Sequence, residues 1–319
     1  MLTKTENIYL RSLKSTLSKT RIMHVITGLN QGGAEGMLTR LVEGLDPDLF
    51  DHCVVSLTGQ ESFYSASIKK QGSSVINLRI RGVFSLLGAI FRLRRLIIEY
   101  RPCVVQTWLY HADLFGLLAK FFLGVRPLVW SVRCSALDVS DAPWSTHLLI
   151  RLLSMCSSMP EAILFNSRAG LESHHRIGYR PKSNMVIPNG FDTQKWIADP
   201  LRRVNFRKQI GIKDDAFLVG MVARFHSVKD FRCFLSAAER IHLQHPQARF
   251  VLVGQGVDSD NLELVEDVEA YGLRDCVTLL GSRLDLVDVM SGLDCHVLTS
   301  KSEGFPNVLL EAMAAGCAC

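Results

Sequence analysis

Short apolar runs alternate with longer segments of helical spacing along nearly the whole chain. The first run, residues 21–26, stops at a glycine-containing loop, and helical spacing begins near Ala34. Such alternation predicts an α/β fold with parallel strands, because each helix buries its apolar face against the sheet to which the chain returns. The predicted strands are residues 21–26, 52–57, 75–78, 104–107, 128–132, 162–166, 217–222, 250–253, 277–280 and 295–298. The predicted helices begin near residues 34, 63, 86, 114, 168, 231, 261, 284 and 308.

A turn-rich segment divides this alternation into two series. It spans residues 187–192, with the sequence IPNGFD, and a polar stretch containing Pro200 follows it. We expect a tail at residues 1–20, a first Rossmann-like domain at 21–187 and a second at 188–319, which suits a chain of 319 residues. The second series stops after a helix that needs a return strand, so we expect this domain to be incomplete and the chain to be truncated.

The composition is that of a soluble globular protein. Hydrophobic residues make up 48% of the chain and charged residues 21%, and the formal net charge of +5 suits anionic ligands but is too small for a nucleic-acid binder. The N-terminus has no signal-peptide pattern, and the most apolar stretch, Leu114 to Val125, contains Lys120 and is too short to span a membrane. Nine cysteines form no C-x-x-C pair, so we expect reduced thiols and a cytoplasmic location.

Glycines follow the first predicted strand, in the loop from Gly28 to Glu35. In open α/β sheets, ligands bind beyond the carboxyl ends of the strands, so binding residues are expected in loops of this kind. Gly32 and Gly33 stand just before a helix, whose free N–H groups suit a phosphate. The loop is not a G-x-G-x-x-G fingerprint, and a turn kept only for tight strand-to-helix packing is the alternative.

Two cations and two glycines occupy the equivalent loops of the second series. Arg224 can bind a diphosphate through its fork of N–H groups and Lys229 as a point charge, although a solvated basic loop has the same composition. Gly254 and Gly256 follow the next strand and permit close contact with a nucleotide, but a plain turn is equally compatible with them.

Two glutamates eight positions apart flank the start of the last predicted helix. Glu303 lies in the loop and Glu311 on the helix, and the residues between them include Gly304 and Asn307. A carboxylate that accepts hydrogen bonds from ribose hydroxyls is a common neighbour of a bound nucleotide. The alternative is that Glu311 is only a solvated helix residue, and the presence of the other candidate binding loops argues against this alternative.

Together these loops resemble those of glycosyltransferase family 4, whose members are retaining enzymes with the two-domain GT-B fold, in which two parallel sheets face a cleft. The resemblance extends from about residue 21 to the end of the chain. It rests on the order and spacing of Gly32-Gly33-Ala34-Glu35, the segment 187–192, Arg224 with Lys229, and the E-x7-E motif from Glu303 to Glu311.

The resemblance implies roles for these residues. Arg224 and Lys229 would hold the donor diphosphate and offset the charge on the leaving nucleoside diphosphate, so no metal ion or other cofactor is required. Glu311 would bind the ribose, and Glu303 would lie near the donor sugar. The remaining donor-binding positions that it implies are Gly32, Gly33, Gly254, Gly256, Gly304, Phe305, Pro306, Asn307 and Val308.

His111, which follows a first-domain strand, matches a histidine that many relatives place near the donor sugar and the acceptor. A hydrogen-bonded structural histidine is the alternative. The implied reaction transfers a sugar from a nucleotide sugar to a saccharide or polyprenyl-linked acceptor with retention, and the leaving phosphate helps to deprotonate the acceptor. Stabilisation of that leaving group would be the largest catalytic contribution. The expected setting is cell-envelope polysaccharide or glycolipid synthesis. Asp230 departs from the family pattern, because relatives commonly have glycine there.

A basic amphipathic stretch runs from Arg79 to Arg101. Its apolar positions suit the inner face of an anionic membrane, where lipid-linked acceptors lie, although an ordinary solvent-facing helix is the alternative. Six arginines at 79, 81, 92, 94, 95 and 101 alternate with Phe84, Leu86, Leu87, Ile90, Phe91, Leu96 and Ile97.

Three other functions compete with glycosyl transfer. A sugar-nucleotide epimerase of similar fold is disfavoured by the E-x7-E motif with Arg224 and Lys229. A nicotinamide-dependent oxidoreductase needs the G-x-G-x-x-G fingerprint that the first loop lacks. An inactive, truncated remnant that still binds nucleotide is the third, and only an activity measurement separates it from an enzyme.

Overall fold

The computed structural model describes residues 19–30, 32–59, 62–80, 82–124, 127–134, 143–197 and 199–319. The predicted tail up to residue 18 and Arg81 lie outside these residues. The chain divides into two compact units, Met1–Gly190 and Phe191–Cys319, so the division falls within the turn-rich segment 187–192.

The first unit is built on a seven-stranded sheet in which all neighbouring strands are parallel. The strand order is β3-β2-β1-β4-β5-β6-β7, and the order therefore reverses between β1 and β4. Val25 of β1 lies between Val55 of β2 and Thr107 of β4, which fixes the register at this point. The strands are β1 Thr20–Ile26, β2 Phe50–Ser56, β3 Ser74–Asn77, β4 Val104–Trp108, β5 Leu128–Val132, β6 Ala162–Phe165 and β7 Asn184–Val186.

Helices cover both faces of this sheet. Helices α1 and α2 pack with Ile26, Val54 and Trp108 on one face, while α3 to α6 pack with the alternate strand residues on the other. This alternation follows from the strand period of two, which sends successive side chains to opposite faces. The helices are α1 Gly33–Gly44, α2 Phe63–Lys70, α3 Val83–Tyr100, α4 Tyr110–Leu123, α5 Trp144–Cys156 and α6 Arg168–Arg176.

The second unit contains a four-stranded parallel sheet of the same kind. Its order is β10-β9-β8-β11, and the reversal lies between β8 and β11. Ala318 pairs in parallel with Cys295 of β11. The strands are β8 Leu218–Val222, β9 Arg249–Val253, β10 Val277–Leu279 and β11 Cys295–His296, and the helices are α7 Pro200–Gln209, α8 Phe231–Gln244, α9 Leu262–Ala270, α10 Leu286–Gly292 and α11 Asn307–Ala314.

The predicted α/β fold with two parallel sheets is confirmed, and three elements were not predicted. These are α5, the short edge strand β7, and α7, whose residues were assigned to the polar junction between domains. Helix α7 was not recognised from the spacing of apolar residues because an arginine occupies part of its buried face. Arg207 is fully buried and donates hydrogen bonds to Asp294 and to four backbone carbonyls. Among the described residues, no helix is both long and apolar enough to cross a membrane.

Candidate functional site

Most of the predicted site residues follow the strands at which the two sheets reverse their order, and Gly254 and Gly256 follow the neighbouring strand β9. In the first unit, Gly32 and Gly33 follow β1, and His111 follows β4. In the second unit, the loop from Arg224 to Lys229 follows β8, and the loop that contains Glu303 follows β11. Crevices at these reversal points are where open parallel sheets bind ligands, so the topology supports each loop as part of a site.

Hydrogen bonds join the loops after β8, β9 and β11 in the second unit. The Phe225 amide donates to the carbonyl of Gln255 at 2.8 Å, which links the first two loops. The Thr299 hydroxyl donates to the carbonyl of Lys229 at 2.9 Å. The Lys301 amide donates to the carbonyl of Val228 at 2.8 Å. The second unit alone therefore brings three of the predicted loops together.

An ion pair between Lys229 and Glu303 connects two of the predicted site residues. The lysine ammonium contacts Oε1 of Glu303, and the two side chains are only 21% and 22% exposed. Because an ammonium has three N–H donors, Lys229 can keep this contact and still donate to a phosphate. Arg224 is exposed, and within the described part of the chain its guanidinium forms no hydrogen bond or ion pair. These two cations thus differ: one is fixed by the protein and the other is available to a ligand.

Asp230 adopts a left-handed backbone conformation directly after Lys229. Its φ is +50° and its ψ is +60°, a region that glycine occupies without strain and aspartate tolerates better than most residues. Its carboxylate also accepts a hydrogen bond from the Cys233 amide at the start of α8. This conformation explains physically why the glycine that the resemblance leads us to expect would suit this position, and why aspartate is also acceptable there.

Gly254 and Gly256 allow the loops after β8 and β9 to approach each other. Gly254 has a φ of +152°, and a Cβ atom there would lie 1.9 Å from the carbonyl oxygen of Ala223. Gly256 has a φ of +71°, and its Cβ atom would lie 3.4 Å from Cβ of Phe225. The two glycines are therefore required for loop packing, and their predicted contact with a nucleotide stays a prediction.

The E-x7-E segment enters the first turns of α11. Gly304 is buried, while Phe305, Pro306, Asn307 and Val308 are half-buried, and no side chain caps the helix at Pro306. Glu311 is half-buried in the second turn of α11. Helix N-termini without a side-chain cap attract anions through their backbone N–H groups, which is compatible with the predicted contacts to the donor.

In the first unit, the predicted residues lie at the N-terminal ends of two helices. Gly32 is the N-cap of α1 and provides no side chain for capping, and Gly33 is exposed. His111 lies exposed in the first turn of α4, and partial desolvation lowers its pKa. Leu109 precedes this turn with φ +73° and ψ +155°, a region that is essentially reserved for glycine. Backbone strain is therefore concentrated next to His111.

A polar chain that was not predicted from the sequence lies at this edge of the first sheet. The Arg133 guanidinium lies 4.6 Å from the ring centroid of Trp108 and donates to Oδ1 of Asn189 at 3.0 Å. The Trp108 indole donates to Nδ1 of His24 at 3.4 Å, and Nε2 of His24 lies 3.1 Å from Nδ1 of His52. Arg133 directly follows β5, so the rule that led to the other loops would have included it.

No cluster of three or more histidine, cysteine, aspartate or glutamate side chains suited to a metal ion occurs within the described residues. The predicted independence from metal ions stays a prediction.

Two family models match this chain. The model described as Glycosyltransferase Family 4 matches residues 31–195, and the model described as Glycosyl transferases group 1 matches residues 203–319. EpsF of Bacillus subtilis, named as a candidate glycosyltransferase, is 28% identical over 95% of this chain and 79% of its own length. The UDP-Gal:alpha-D-GlcNAc-diphosphoundecaprenol alpha-1,3-galactosyltransferase of Escherichia coli is 25% identical over 96% of this chain and 80% of its own length. The structure of Anabaena HepE in complex with UDP and glucose has a TM-score of 0.79 at 22% identity, over 93% of this chain and 79% of that chain.

Proposed function

Because the chain belongs to glycosyltransferase family 4, as the two matching family models show, we propose that it transfers a sugar from a nucleotide sugar to a saccharide or polyprenyl-linked acceptor with retention of configuration. It is a glycosyltransferase with the GT-B fold. One observation in the structure carries the finer assignment. The loop after β8 and the loop after β11 meet at the reversal point of the second sheet through the pair of Lys229 and Glu303.

The donor diphosphate is the ligand that best fits the two cations of the second unit. Arg224 is exposed and offers a planar fork of N–H donors, and Lys229 is held in place by Glu303. When the bond from the anomeric carbon to the donor phosphate breaks, negative charge grows on the nucleoside diphosphate. Lys229, which Glu303 already orients, stabilises that charge without reorganising, and stabilisation of the leaving group is the largest contribution that the site can make.

The other predicted residues complete the proposal. Glu311 accepts hydrogen bonds from the ribose, and Glu303 lies near the donor sugar. His111, whose pKa is lowered by partial desolvation, donates or accepts a hydrogen bond beside the reacting sugar. The departing phosphate takes the proton of the acceptor hydroxyl, and no divalent ion takes part. Relatives support the substrate classes: HepE binds UDP and glucose, and the E. coli enzyme is named for a diphosphoundecaprenol acceptor.

Release of nucleoside diphosphate tests this proposal. UDP-, GDP- and ADP-sugars are offered together with a mixed extract of lipid-linked acceptors, in the presence of EDTA, to the wild type and to Arg224→Ala and Glu311→Ala. We expect release from one class of donor, unaffected by EDTA and lost in both variants. The matched controls are Arg240→Ala and Glu266→Ala, which remove exposed charges of the same unit outside the site. A folded chain that releases nucleoside diphosphate from no donor would refute the assignment.

A surface on three helices supports contact with the inner face of an anionic membrane. Helix α3 packs beside α4, and α4 packs beside α5. The apolar positions predicted on α3 divide into two groups: Leu86, Ile90, Leu96 and Ile97 pack against the core, whereas Leu87 and Phe91 are exposed. The side chain of Phe84 lies outside the described residues. Among the described side chains of the three helices, nine large apolar ones are exposed: Leu87, Phe91, Ile98, Phe121, Phe122, Trp144, Leu148, Leu152 and Met155.

Basic side chains accompany these apolar ones. Arg92, Arg94 and Arg95 are exposed on α3, and Arg151 is exposed on α5. Apolar side chains that enter the headgroup region, with arginines beside them, are the pattern of peripheral binding to anionic lipid. The protein would therefore act in the cytoplasm, at the membrane surface where polyprenyl-linked acceptors lie.

Sedimentation with vesicles tests this contact. We expect the protein to sediment with phosphatidylglycerol vesicles at low salt, and the double variant Phe91→Ser/Leu148→Ser to stay in the supernatant. Leu243→Ser is the matched control, because Leu243 is 77% exposed on α8 of the other unit. Equal loss of binding in the control and the double variant, or no binding by the wild type, would contradict the membrane surface.

A further inference from the structure

Arg133 is a substantially buried cation without an anionic partner. Its Nε is buried and has no hydrogen-bond partner within the described part of the chain, and none of the described carboxylates pairs with its guanidinium. Burial lowers its pKa to about 10. Two other cations that are largely withdrawn from solvent do have such partners: Arg207 pairs with Asp294, and Lys120 pairs with Glu161. Arg133 therefore differs from these two structural cations of the same protein.

The surroundings hold the guanidinium in one orientation. The fully buried Trp108 ring lies under it, with 4.6 Å between the guanidinium carbon and the ring centroid. Nη1 donates to Oδ1 of Asn189 at 3.0 Å. An aromatic platform and one amide acceptor fix a guanidinium plane but leave most of its five N–H donors for other groups. The protein thus orients this cation without neutralising it.

Its position in the fold places Arg133 among the predicted site residues of the first unit. It directly follows β5, the neighbour of β4, whose end leads to His111. It stands over Trp108, on the sheet face that α1 covers, and α1 begins at Gly33. The carboxyl ends of adjacent parallel strands meet at one edge of the sheet, so a ligand at His111 lies beside the strand end that carries Arg133.

We propose that Arg133 binds a phosphate group of the acceptor. This inference rests on the proposed function, and it assigns to the first unit a second anion site, separate from the donor diphosphate site of Arg224 and Lys229. A guanidinium binds phosphate through two parallel N–H···O bonds, and a desolvated one discriminates strongly against a neutral substitute. The acceptor class is therefore a sugar linked through phosphate or diphosphate rather than a free saccharide.

Kinetics with matched acceptors test the proposal. The same acceptor sugar is supplied as a short prenyl diphosphate conjugate and as a neutral octyl glycoside, to the wild type, Arg133→Gln and Arg133→Lys. Arg133→Gln should raise KM for the diphosphate conjugate by about 10- to 100-fold, the usual effect of a lost charge-assisted hydrogen bond, and leave KM for the donor and for the octyl glycoside unchanged. Arg133→Lys keeps the charge but not the planar fork of N–H donors. Its KM for the diphosphate conjugate should lie between the values of the wild type and Arg133→Gln.

Two kinetic outcomes would overturn this assignment. An equal rise in KM for the charged and the neutral acceptor would mean that Arg133 only supports the fold, through its contacts with Trp108 and Asn189. A rise in KM for the donor alone would mean that the anion belongs to the nucleotide sugar.

A binding measurement separates this inference from the proposed function. Inorganic pyrophosphate is titrated by isothermal calorimetry into Arg224→Ala/Lys229→Ala, in which the donor site is removed, and into the same variant with Arg133→Gln added. We expect binding in the first protein and its loss in the second, whether or not transfer of any sugar has been observed. Absence of Arg133-dependent pyrophosphate binding would overturn the anion site, and an unchanged urea midpoint for Arg133→Gln shows that the chain is folded.

Discussion

Mild acid should destabilise the first unit through His24. Burial, followed by repulsion from His52, lowers the pKa of His24 from 6.5 to about 3. The Trp108 indole can only donate, so Nδ1 of His24 must accept its hydrogen bond, and Nε2 of His24 then carries the proton that it donates to His52. A second proton on His24 would occupy Nδ1, where it would face the indole N–H. Protonation of His24 would therefore place a charge in the core and break the hydrogen bond between His24 and Trp108.

The size of the effect follows from the two pKa values of His24. The folded pKa lies below the unfolded one, so the unfolded chain binds more protons; the stability is complete above about pH 6.5 and is lost as the pH falls from there toward about 3. At about pH 5.5, roughly ten in eleven unfolded imidazoles are protonated, while the folded one is almost entirely neutral. The difference amounts to about 1.4 kcal/mol in the free energy of unfolding.

Urea unfolding measures this difference. Tryptophan fluorescence of the wild type and of His24→Gln is followed at about pH 7.5 and about pH 5.5, in a Trp196→Phe background, so that the three remaining tryptophans all report on the first unit. Other groups also titrate, so the relevant quantity is the pH-dependent loss in the wild type minus that in His24→Gln, which should be about 1.4 kcal/mol. His147→Gln, on the exposed part of α5, should reproduce the wild-type loss. Equal losses in the wild type and His24→Gln would refute the argument that His24 is neutral when folded.

Three further substitutions test other parts of the structure. Gly254→Ala forces a Cβ atom against a carbonyl 1.9 Å away and should lower the free energy of unfolding of the second unit by about 2–4 kcal/mol in urea. Gly272→Ala, which also has a positive φ, at +67°, but open space around the new Cβ atom, should cost about 1 kcal/mol. Asp294→Asn leaves a buried arginine uncompensated and should cost about 3–5 kcal/mol by thermal or urea unfolding, against less than about 1 kcal/mol for the partly exposed Asp288→Asn. Glu303→Gln removes the carboxylate that fixes its lysine partner and should lower kcat by about 10- to 100-fold in the nucleotide-release assay, with circular dichroism unchanged.

The periodicity of the sequence was enough to predict most of the sheet, and the exceptions have separate causes. Strands β1, β5 and β9 are short apolar runs and lie where they were predicted, within one or two residues at their ends. The edge strand β7 has only three residues and leaves its side chains largely exposed, so it carries too little apolar pattern to be recognised. Helix α5 has apolar residues on its exposed side as well as its buried side, which obscures the period of an ordinary surface helix.

The candidate site was predictable where a motif is local and not where it depends on strand order. Arg224 with Lys229 and Glu303 with Glu311 stand within short segments, so their spacing was visible in the sequence. The pairing of Lys229 with Glu303 joins residues 74 positions apart. It requires β11 to lie beside β8, which only the reversed strand order provides. The stack of Arg133 on Trp108 likewise depends on the register between β4 and β5.

The cations at the strand ends differ between the two units, and this difference suggests which kind of ligand each of them binds. In the second unit, one cation is fixed by a carboxylate and another is exposed, an arrangement that suits a ligand whose negative charge increases during the reaction, because the exposed guanidinium can follow it. In the first unit, Arg133 is desolvated and oriented by an aromatic ring, an arrangement that suits a ligand whose charge stays constant and whose position matters. A nucleoside diphosphate that leaves and an acceptor phosphate that remains bound have these two properties. The difference between the two sites therefore predicts that loss of Arg224 lowers kcat more than it raises KM, and that loss of Arg133 does the reverse.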